Sequence, residues 1–160
     1  MSTYQQICEQ IGHDGEVAVA ELLREQGYNV RLDGGNHYHD LVVDGTTTIE
    51  VKTAHASAGS NGNRERWQFT LYDNDGQHRP VEEDVLILRC QDGEGAWHYV
   101  IPGAILPAKL TKIDITSPRD RYRGRYTLFL EAWELLAITV AANRGRERQF
   151  PLVEEPEIVF

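Results

Sequence analysis

The sequence is poor in cysteine: Cys8 and Cys90 are the only two, too few for a disulfide framework. They also lack the paired spacing of a zinc site. No apolar run reaches the roughly 20 residues needed to span a membrane. The N-terminus has no basic segment followed by an apolar one, so we expect no secretion signal. These absences predict a cytoplasmic protein in which both cysteines are reduced thiols inside the core.

The chain also lacks an excess of basic charge. It has 16 Lys and Arg residues against 25 Asp and Glu residues, for a formal net charge of -9. This balance argues against a protein that binds phosphates by overall charge alone. However, nine of the basic residues and only five of the acidic ones lie between Lys109 and Arg148. An acidic chain can therefore still present a local basic surface.

The 160 residues, 41% of them hydrophobic, are enough for one domain with a substantial core. Apolar residues at helical spacing predict a helix from Tyr4 to Gln26 and a second from Leu128 to Asn143, ended by Gly145. We predict one α/β domain over residues 1–160, with a mixed central β-sheet flanked by helices. The predicted strands are Tyr28–Leu32, Tyr38–Val43, Thr46–Thr53, Trp67–Tyr72, Val85–Cys90, Trp97–Ile101 and Lys112–Thr116.

The most informative stretch runs from Asp40 to Lys52, where an acid precedes a Glu-x-Lys triplet by ten positions. Side chains alternate along a strand, so Glu50 and Lys52 share one face while Ile49 and Val51 share the other. The apolar pair should lie on the core. A carboxylate and an ammonium group, two residues apart, are therefore predicted on the opposite face.

The position of Asp40 depends on the register of the predicted hairpin. A two-residue turn would place Asp40 on the core side, away from Glu50. A three-residue loop ending at Gly45, with this glycine in the left-handed conformation, pairs Val42 with Thr46 and places Asp40 on the face of Glu50. We favour the second register because it gathers one apolar face, made of Leu41, Val43, Ile49 and Val51.

This arrangement suits phosphodiester hydrolysis, which needs an activated water and neutralised charge on the phosphate. Two carboxylates on adjacent strands, Asp40 and Glu50, can hold one or two Mg²⁺ ions, which prefer oxygen ligands, and Mn²⁺ can substitute. The main-chain carbonyl of Val51 is a further candidate ligand. The metal would activate water and polarise the phosphate, while Lys52 would orient or deprotonate the water and stabilise the transition state.

Acid–apolar–Lys triplets also occur on exposed strands as solvated ion pairs, so the triplet alone is not specific. Its context adds weight, because a helix carrying Glu16 precedes the hairpin and a basic loop follows. In this setting the stretch Ile7–Tyr72 resembles the PD-(D/E)xK nuclease superfamily, which includes restriction enzymes, Holliday junction resolvases and some homing endonucleases. The resemblance implies a restriction-endonuclease-like fold and a metal-dependent phosphodiesterase with Asp40, Glu50 and Lys52 in the catalytic positions.

The resemblance adds two candidates to the site. Many family members carry a first-helix glutamate that reaches the metal cluster, and Glu16 lies beside the apolar stripe of the first predicted helix. Some use a glutamine on the next strand, and Gln68 would face the active site if Trp67 and Phe69 face the core. A solvated surface position is the alternative for each. His39 stands where the family has proline, which makes the match less specific without changing the chemistry.

Basic residues cluster in two predicted loops, Ala54–Arg66, which we expect to be mobile, and Ser117–Arg125. Alternate arginines in an extended chain project to one side, which suits phosphates or guanine edges. The alternative is a set of surface charges that balance an acidic chain. The histidines lack the spacing of a transition-metal site, so we expect them in turns or facing DNA. The candidate DNA-binding residues are Arg64, Arg66, Arg119, Arg121, Arg123 and Arg125.

Together these features predict an Mg²⁺-dependent endonuclease that cuts double-stranded DNA at specific sites, as homing and restriction enzymes do. The acidic balance favours this over a Holliday junction resolvase or repair nuclease. We expect a homodimer or tetramer, because one small domain carries one active site and cutting both strands needs two. A non-catalytic DNA-binding module with the same fold is the other alternative, and the intact acid and lysine set argues against it.

Overall fold

The computed structural model describes residues 2–33, 39–57, 65–72, 76–116 and 124–149, with side chains as far as Arg146. The chain forms two α-helices and seven strands within these ranges. They are α1 (Thr3–Glu25), β1 (Val30–Leu32), β2 (Leu41–Val43), β3 (Thr47–His55), β4 (Arg66–Thr70), β5 (Val85–Asp92), β6 (Gly95–Pro102), β7 (Lys112–Thr116) and α2 (Trp133–Gln149). No helix in this part of the chain is long and apolar enough to cross a membrane.

The strands form one five-stranded sheet and one separate ribbon. The sheet has the order β1-β2-β3-β5-β6, with β3 and β5 parallel and the other neighbours antiparallel. This confirms the predicted α/β fold with a mixed central sheet. The ribbon is an antiparallel pair of β4 and β7, which the strand pattern alone did not separate from the sheet.

The two faces of the sheet are covered by different layers. Both helices pack on one face, where Val19 and Leu23 of α1 and Leu136 of α2 join the apolar side chains of the central strands. The β4–β7 ribbon covers the other face, and its Trp67 and Phe69 pack against β5 and β6. Side chains alternate along each strand, so one sheet supplies both cores.

Helix α1 begins and ends close to the predicted residues. Ser2 caps it by accepting a hydrogen bond from the Gln5 amide at 3.2 Å, and Gly27 follows it with a positive φ of 98°. Burial begins only at Gly15, however, and the first three turns are mostly exposed. The prediction that both cysteines lie in the core is therefore wrong for Cys8, which is exposed, and confirmed for Cys90, which is buried.

Helix α2 differs from its predicted bounds at both ends. Leu128 lies in a 3-10 turn and Leu130 bridges to Tyr99, so the helical spacing of these apolar residues does not produce a helix. Glu131 then adopts a left-handed φ of 49°, which delays the start to Trp133. Gly145 does not end the helix, because the hydrogen-bonded turns continue to Gln149.

The β2–β3 hairpin has the predicted faces but a register two residues away from the predicted one. Val43 pairs with Thr47, and Leu41 pairs with Ile49. The turn occupies residues 44–46, because Asp44 as well as Gly45 takes a positive φ, at 51° and 69°. A shift by two residues preserves the faces, so the apolar set still points into the helix-side core.

The predicted loop Ala54–Arg66 is partly structured. Strand β3 continues through Ala54 to His55, and Ser57 bridges to Arg66 where β4 begins, so these ends are not the mobile loop that we predicted. Residues 58–64 and 117–123 lie outside the described residues, as do His37 and the tail from Phe150.

Candidate active site

The site forms where β3 extends past the end of β2. Strand β2 starts at Leu41, opposite Ile49, whereas β3 continues for six more residues against β5 on its other side. The Val51 amide lies on the edge of β3 that β2 leaves uncovered, and it donates to Asp40 Oδ2 at 2.8 Å. In a strand the N–H and C=O of one residue point toward the same neighbour. The Val51 carbonyl therefore lies on the edge that carries the Asp40 carboxylate.

Three carboxyl groups and one lysine converge at this edge. Lys52 Nζ lies 3.5 Å from Glu50 Oε1, and both side chains are about four-fifths buried. Glu16 reaches the group from α1, close enough for its carboxyl and that of Asp40 to shift each other's pKa. The sheet and α1 thus bring together four of the five residues predicted as catalytic.

Burial and the neighbouring acids together raise the pKa values of these three carboxyls. Burial, followed by the charge of Glu16, raises the pKa of Asp40 to about 6, although the Val51 amide acts in the opposite direction. Burial and the charge of Asp40 raise the pKa of Glu50 to about 7, and Lys52 offsets only part of this. Burial also raises the pKa of Glu16. Burial is the largest cause of all three raised pKa values, and strongly perturbed carboxyls of this kind are typical of functional sites.

Buried carboxyls that are costly to ionise fit a hard divalent cation, because its positive charge would offset that cost. Asp40, Glu50 and the Val51 carbonyl offer oxygen atoms, the ligand type that Mg²⁺ prefers. Among the described residues, no three His, Cys, Asp or Glu side chains are arranged to hold a metal ion by themselves. An ion at this edge would therefore rely on a main-chain oxygen and retain several water molecules, as Mg²⁺ commonly does.

Gln68 is not brought to this group. Trp67 and Phe69 face the sheet within the ribbon-side core, so Gln68 points away from the sheet, where it is exposed opposite Asp114. The expectation that buried aromatics would turn Gln68 toward the site is wrong, because β4 belongs to a ribbon stacked on the sheet and not to the sheet itself. Its predicted catalytic role has no geometric support.

Of the candidate DNA-binding arginines, two lie in the described residues. Arg66 begins β4 and is half-buried, and Arg125 is exposed beside the 3-10 turn before α2. The other four, Arg64, Arg119, Arg121 and Arg123, lie outside the described residues.

Sequence reasoning missed an ion-paired group beside the acids. Glu50 and Lys52 line a solvent-open cleft of about 280 Å³ together with Arg79 and Glu83, which precede β5. The Glu83 side chain is almost fully buried, with Arg79 Nη2 at 3.5 Å and His39 Nδ1 at 3.3 Å from its Oε1. The local sequence reads as a polar turn, so only an acid directly before an apolar strand hinted at this arrangement.

Comparison with known proteins supports the fold. No family model and no curated protein matches the sequence. Among solved structures, the bacterial homing endonuclease I-Ssp6803I is similar, with a TM-score of 0.63 and 20% sequence identity, over 85% of this chain and 97% of that one. MepB aligns with a TM-score of 0.35 at 13% identity, over 71% of this chain and 82% of that one. The chain therefore shares the fold of a homing endonuclease.

Proposed function

We propose that this protein is a metal-dependent endonuclease that hydrolyses phosphodiester bonds in double-stranded DNA. The observation that carries the proposal is the convergence of Glu16, Asp40, Glu50 and Lys52 where β3 extends past β2. Likeness of fold to a homing endonuclease supports DNA as the substrate and site-specific cutting as the mode. Fold alone does not define function, so the acidic edge provides the chemical argument.

The residues present can divide the reaction between them. Hydrolysis joins a water oxygen to phosphorus and breaks one P–O ester bond, leaving a phosphate monoester and a hydroxyl group. Bound Mg²⁺ supplies a Lewis acid that offsets phosphate charge and lowers the pKa of water. Asp40, Glu50 and the Val51 carbonyl would hold that ion, and Glu16 would steady the Asp40 carboxyl. Lys52 would donate to a phosphate oxygen whose charge grows in the transition state.

Cleavage of plasmid and linear duplex DNA tests the proposal. We expect cutting with Mg²⁺ or Mn²⁺, none with EDTA, and binding with little cutting in Ca²⁺. Asp40→Asn should reduce the rate by at least about 100-fold, because it weakens the hold on the metal. Asp114→Asn is the matched control, since Asp114 is an exposed acid on the ribbon, and its rate should be unchanged. The proposal fails if no DNA is cut with either metal, or if Asp40→Asn cuts at the wild-type rate.

Assembly on DNA is a further part of the proposal. One chain carries one acidic edge, so cutting both strands needs two chains, and a dimer or a dimer of dimers would match a two-fold site. Sedimentation of the free protein and of its DNA complex measures this stoichiometry. A monomer on DNA that makes only single-strand nicks would overturn the assembly and leave a nickase.

A further inference from the structure

We propose that Arg79 binds a phosphate of the DNA substrate beside the acidic edge, and that buried Glu83 holds the Arg79 guanidinium in place. The proposal rests on the nuclease function proposed above and identifies a substrate contact outside the acid and lysine motif. Arg79 would be a binding residue, and Glu83 a positioning residue that acts through it.

The first support is the shape of the cleft. Arg79 lines the same cleft as Glu50 and Lys52, and Tyr72 and Pro80 also line it. Arg79 is also close enough to Glu50 for its positive charge to act on that carboxyl. Either a DNA phosphate held near Lys52 or the next phosphate along the strand would therefore lie within reach of the long Arg79 side chain.

The second support is the way the Arg79 backbone is held. Its amide donates to the Leu71 carbonyl at 3.0 Å, just past the end of β4. The preceding residue, His78, contacts the Leu71 carbonyl through Nδ1 and the Ala108 carbonyl through Nε2, at 3.2 and 2.7 Å. The segment therefore joins the end of the ribbon, which fixes the origin of the Arg79 side chain. Substrate contacts benefit from such preorganisation.

The third support is the contrast between the two partners. The Glu83 side chain is 2% exposed, whereas the Arg79 side chain is 41% exposed. His39 also contacts Glu83, so the buried acid has a second partner. An ion pair that only neutralised Glu83 would not require the arginine to extend into an open cleft.

The charge of the site supplies the reason for such a residue. Glu16, Asp40, Glu50 and Glu83 would repel an approaching phosphodiester. A fixed cation at the cleft wall lowers that cost, and arginine suits it because the planar guanidinium matches phosphate geometry.

The test measures single-turnover cleavage by the wild type and by Arg79→Gln, Arg79→Lys and Lys112→Gln. Lys112 is the matched control, because it is 47% exposed and lies 3.5 Å from Asp114, as Arg79 lies 3.5 Å from Glu83. We expect Arg79→Gln to cut about 10- to 100-fold more slowly, as loss of one donor to a reacting phosphate does. Arg79→Lys should recover part of the rate, and Lys112→Gln should cut normally.

A second measurement separates phosphate contact from a structural role. Neutral methylphosphonate linkages are placed one at a time around the cut site. The linkage at the phosphate that Arg79 contacts should slow the wild type. It should leave Arg79→Gln unaffected, because that variant has already lost the guanidinium that recognises the phosphate charge. Glu83→Gln should reduce the sensitivity to that same linkage. If Arg79→Gln unfolds, Arg79→Lys is scanned instead, and the same linkage should slow it less than it slows the wild type.

The outcomes distinguish the two proposals. If the wild type cuts no DNA, the nuclease function fails and this inference fails with it. If the wild type cuts and Arg79→Gln cuts equally fast, only this inference is overturned. It is also overturned if Arg79→Gln is slow but responds to every linkage as the wild type does.

Discussion

Replacing Glu50 by glutamine should stabilise the metal-free protein, although it should abolish cleavage. Glu50 is largely buried beside Asp40, and these surroundings raise its pKa from 4.5 to about 7. Because the folded pKa lies above the unfolded one, ionisation costs the folded state stability as pH rises from about 4.5 to 7. At about 1.4 kcal/mol per pH unit, the full cost at pH 8 is about 3 kcal/mol.

Glutamine keeps the shape of the side chain and removes that cost. The pKa of about 7 already includes the opposing charge of Lys52, so we expect a net gain in the free energy of unfolding of about 3 kcal/mol at pH 8. The gain should fall to a few tenths of a kcal/mol, roughly, near pH 4.5, where the wild-type carboxyl is protonated in the folded state and half protonated in the unfolded state. In a protein of this size it corresponds to a rise in Tm of about 5–10 °C.

Urea or thermal unfolding in EDTA at pH 4.5, 6 and 8 measures the effect. Glu21→Gln is the matched control, because Glu21 is an exposed glutamate of α1, and its stability should follow that of the wild type. Added Mg²⁺ should stabilise the wild type at pH 8, since a ligand that binds only the folded state shifts the equilibrium, and should stabilise Glu50→Gln less. If Glu50→Gln is no more stable than the wild type at pH 8, ionisation of the buried Glu50 carboxyl does not destabilise the folded protein.

Three further changes test separate parts of the structure. Lys52→Ala should slow single-turnover cleavage by at least about 100-fold, while its affinity for duplex DNA in Ca²⁺ stays within a few-fold of the wild type, because the ammonium acts mainly on the transition state. Cleavage by this variant at the wild-type rate would disprove the role of Lys52. Gly15→Ala should destabilise the protein by about 1–3 kcal/mol in urea unfolding, since an added Cβ would overlap Thr53 Oγ1. If that overlap is the cause, adding Thr53→Ala should recover the lost stability. Asn143→Ala should lower the free energy of unfolding by about 1–3 kcal/mol, because this buried amide joins α2 to Thr47 Oγ1 at 2.9 Å and to Asp84 Oδ2 at 3.2 Å. Ala142→Ser, at an exposed position, is its control. Equal stability of the two variants would show that these hydrogen bonds do not stabilise the fold.

The parts that the sequence predicted depend on neighbours along the chain. Helix α1 was predicted to within a residue, because its apolar stripe and Gly27 are local signals. The Asp40 face was predicted because burial of Leu41 and Ile49 excludes a one-residue slip. The register itself was wrong by two residues, since a left-handed Asp44 has no unambiguous signal in sequence.

The parts that were missed depend on residues far apart in the chain. The β4–β7 ribbon joins segments more than forty residues apart, and its separation from the sheet placed Gln68 on the outer surface. Glu83 is recognisable as an ion-pair partner only after Arg79 and His39 have folded onto it. Glu131 interrupts an apolar run that otherwise has helical spacing, so α2 starts later than that spacing predicts.

The hydrogen bond between Asp40 and the Val51 amide has a consequence for how far related sequences could diverge. The partner of the carboxylate is a main-chain group, which every residue except proline supplies. Position 51 is therefore free to vary with the core it packs against, and the acid keeps its anchor through that drift. The Val51 carbonyl is likewise a main-chain group, and every residue supplies it. The motif needs only an acid, a gap and an acid–apolar–lysine triplet. Few fixed residues suffice because main-chain atoms, which no substitution other than proline removes, supply part of the site's geometry.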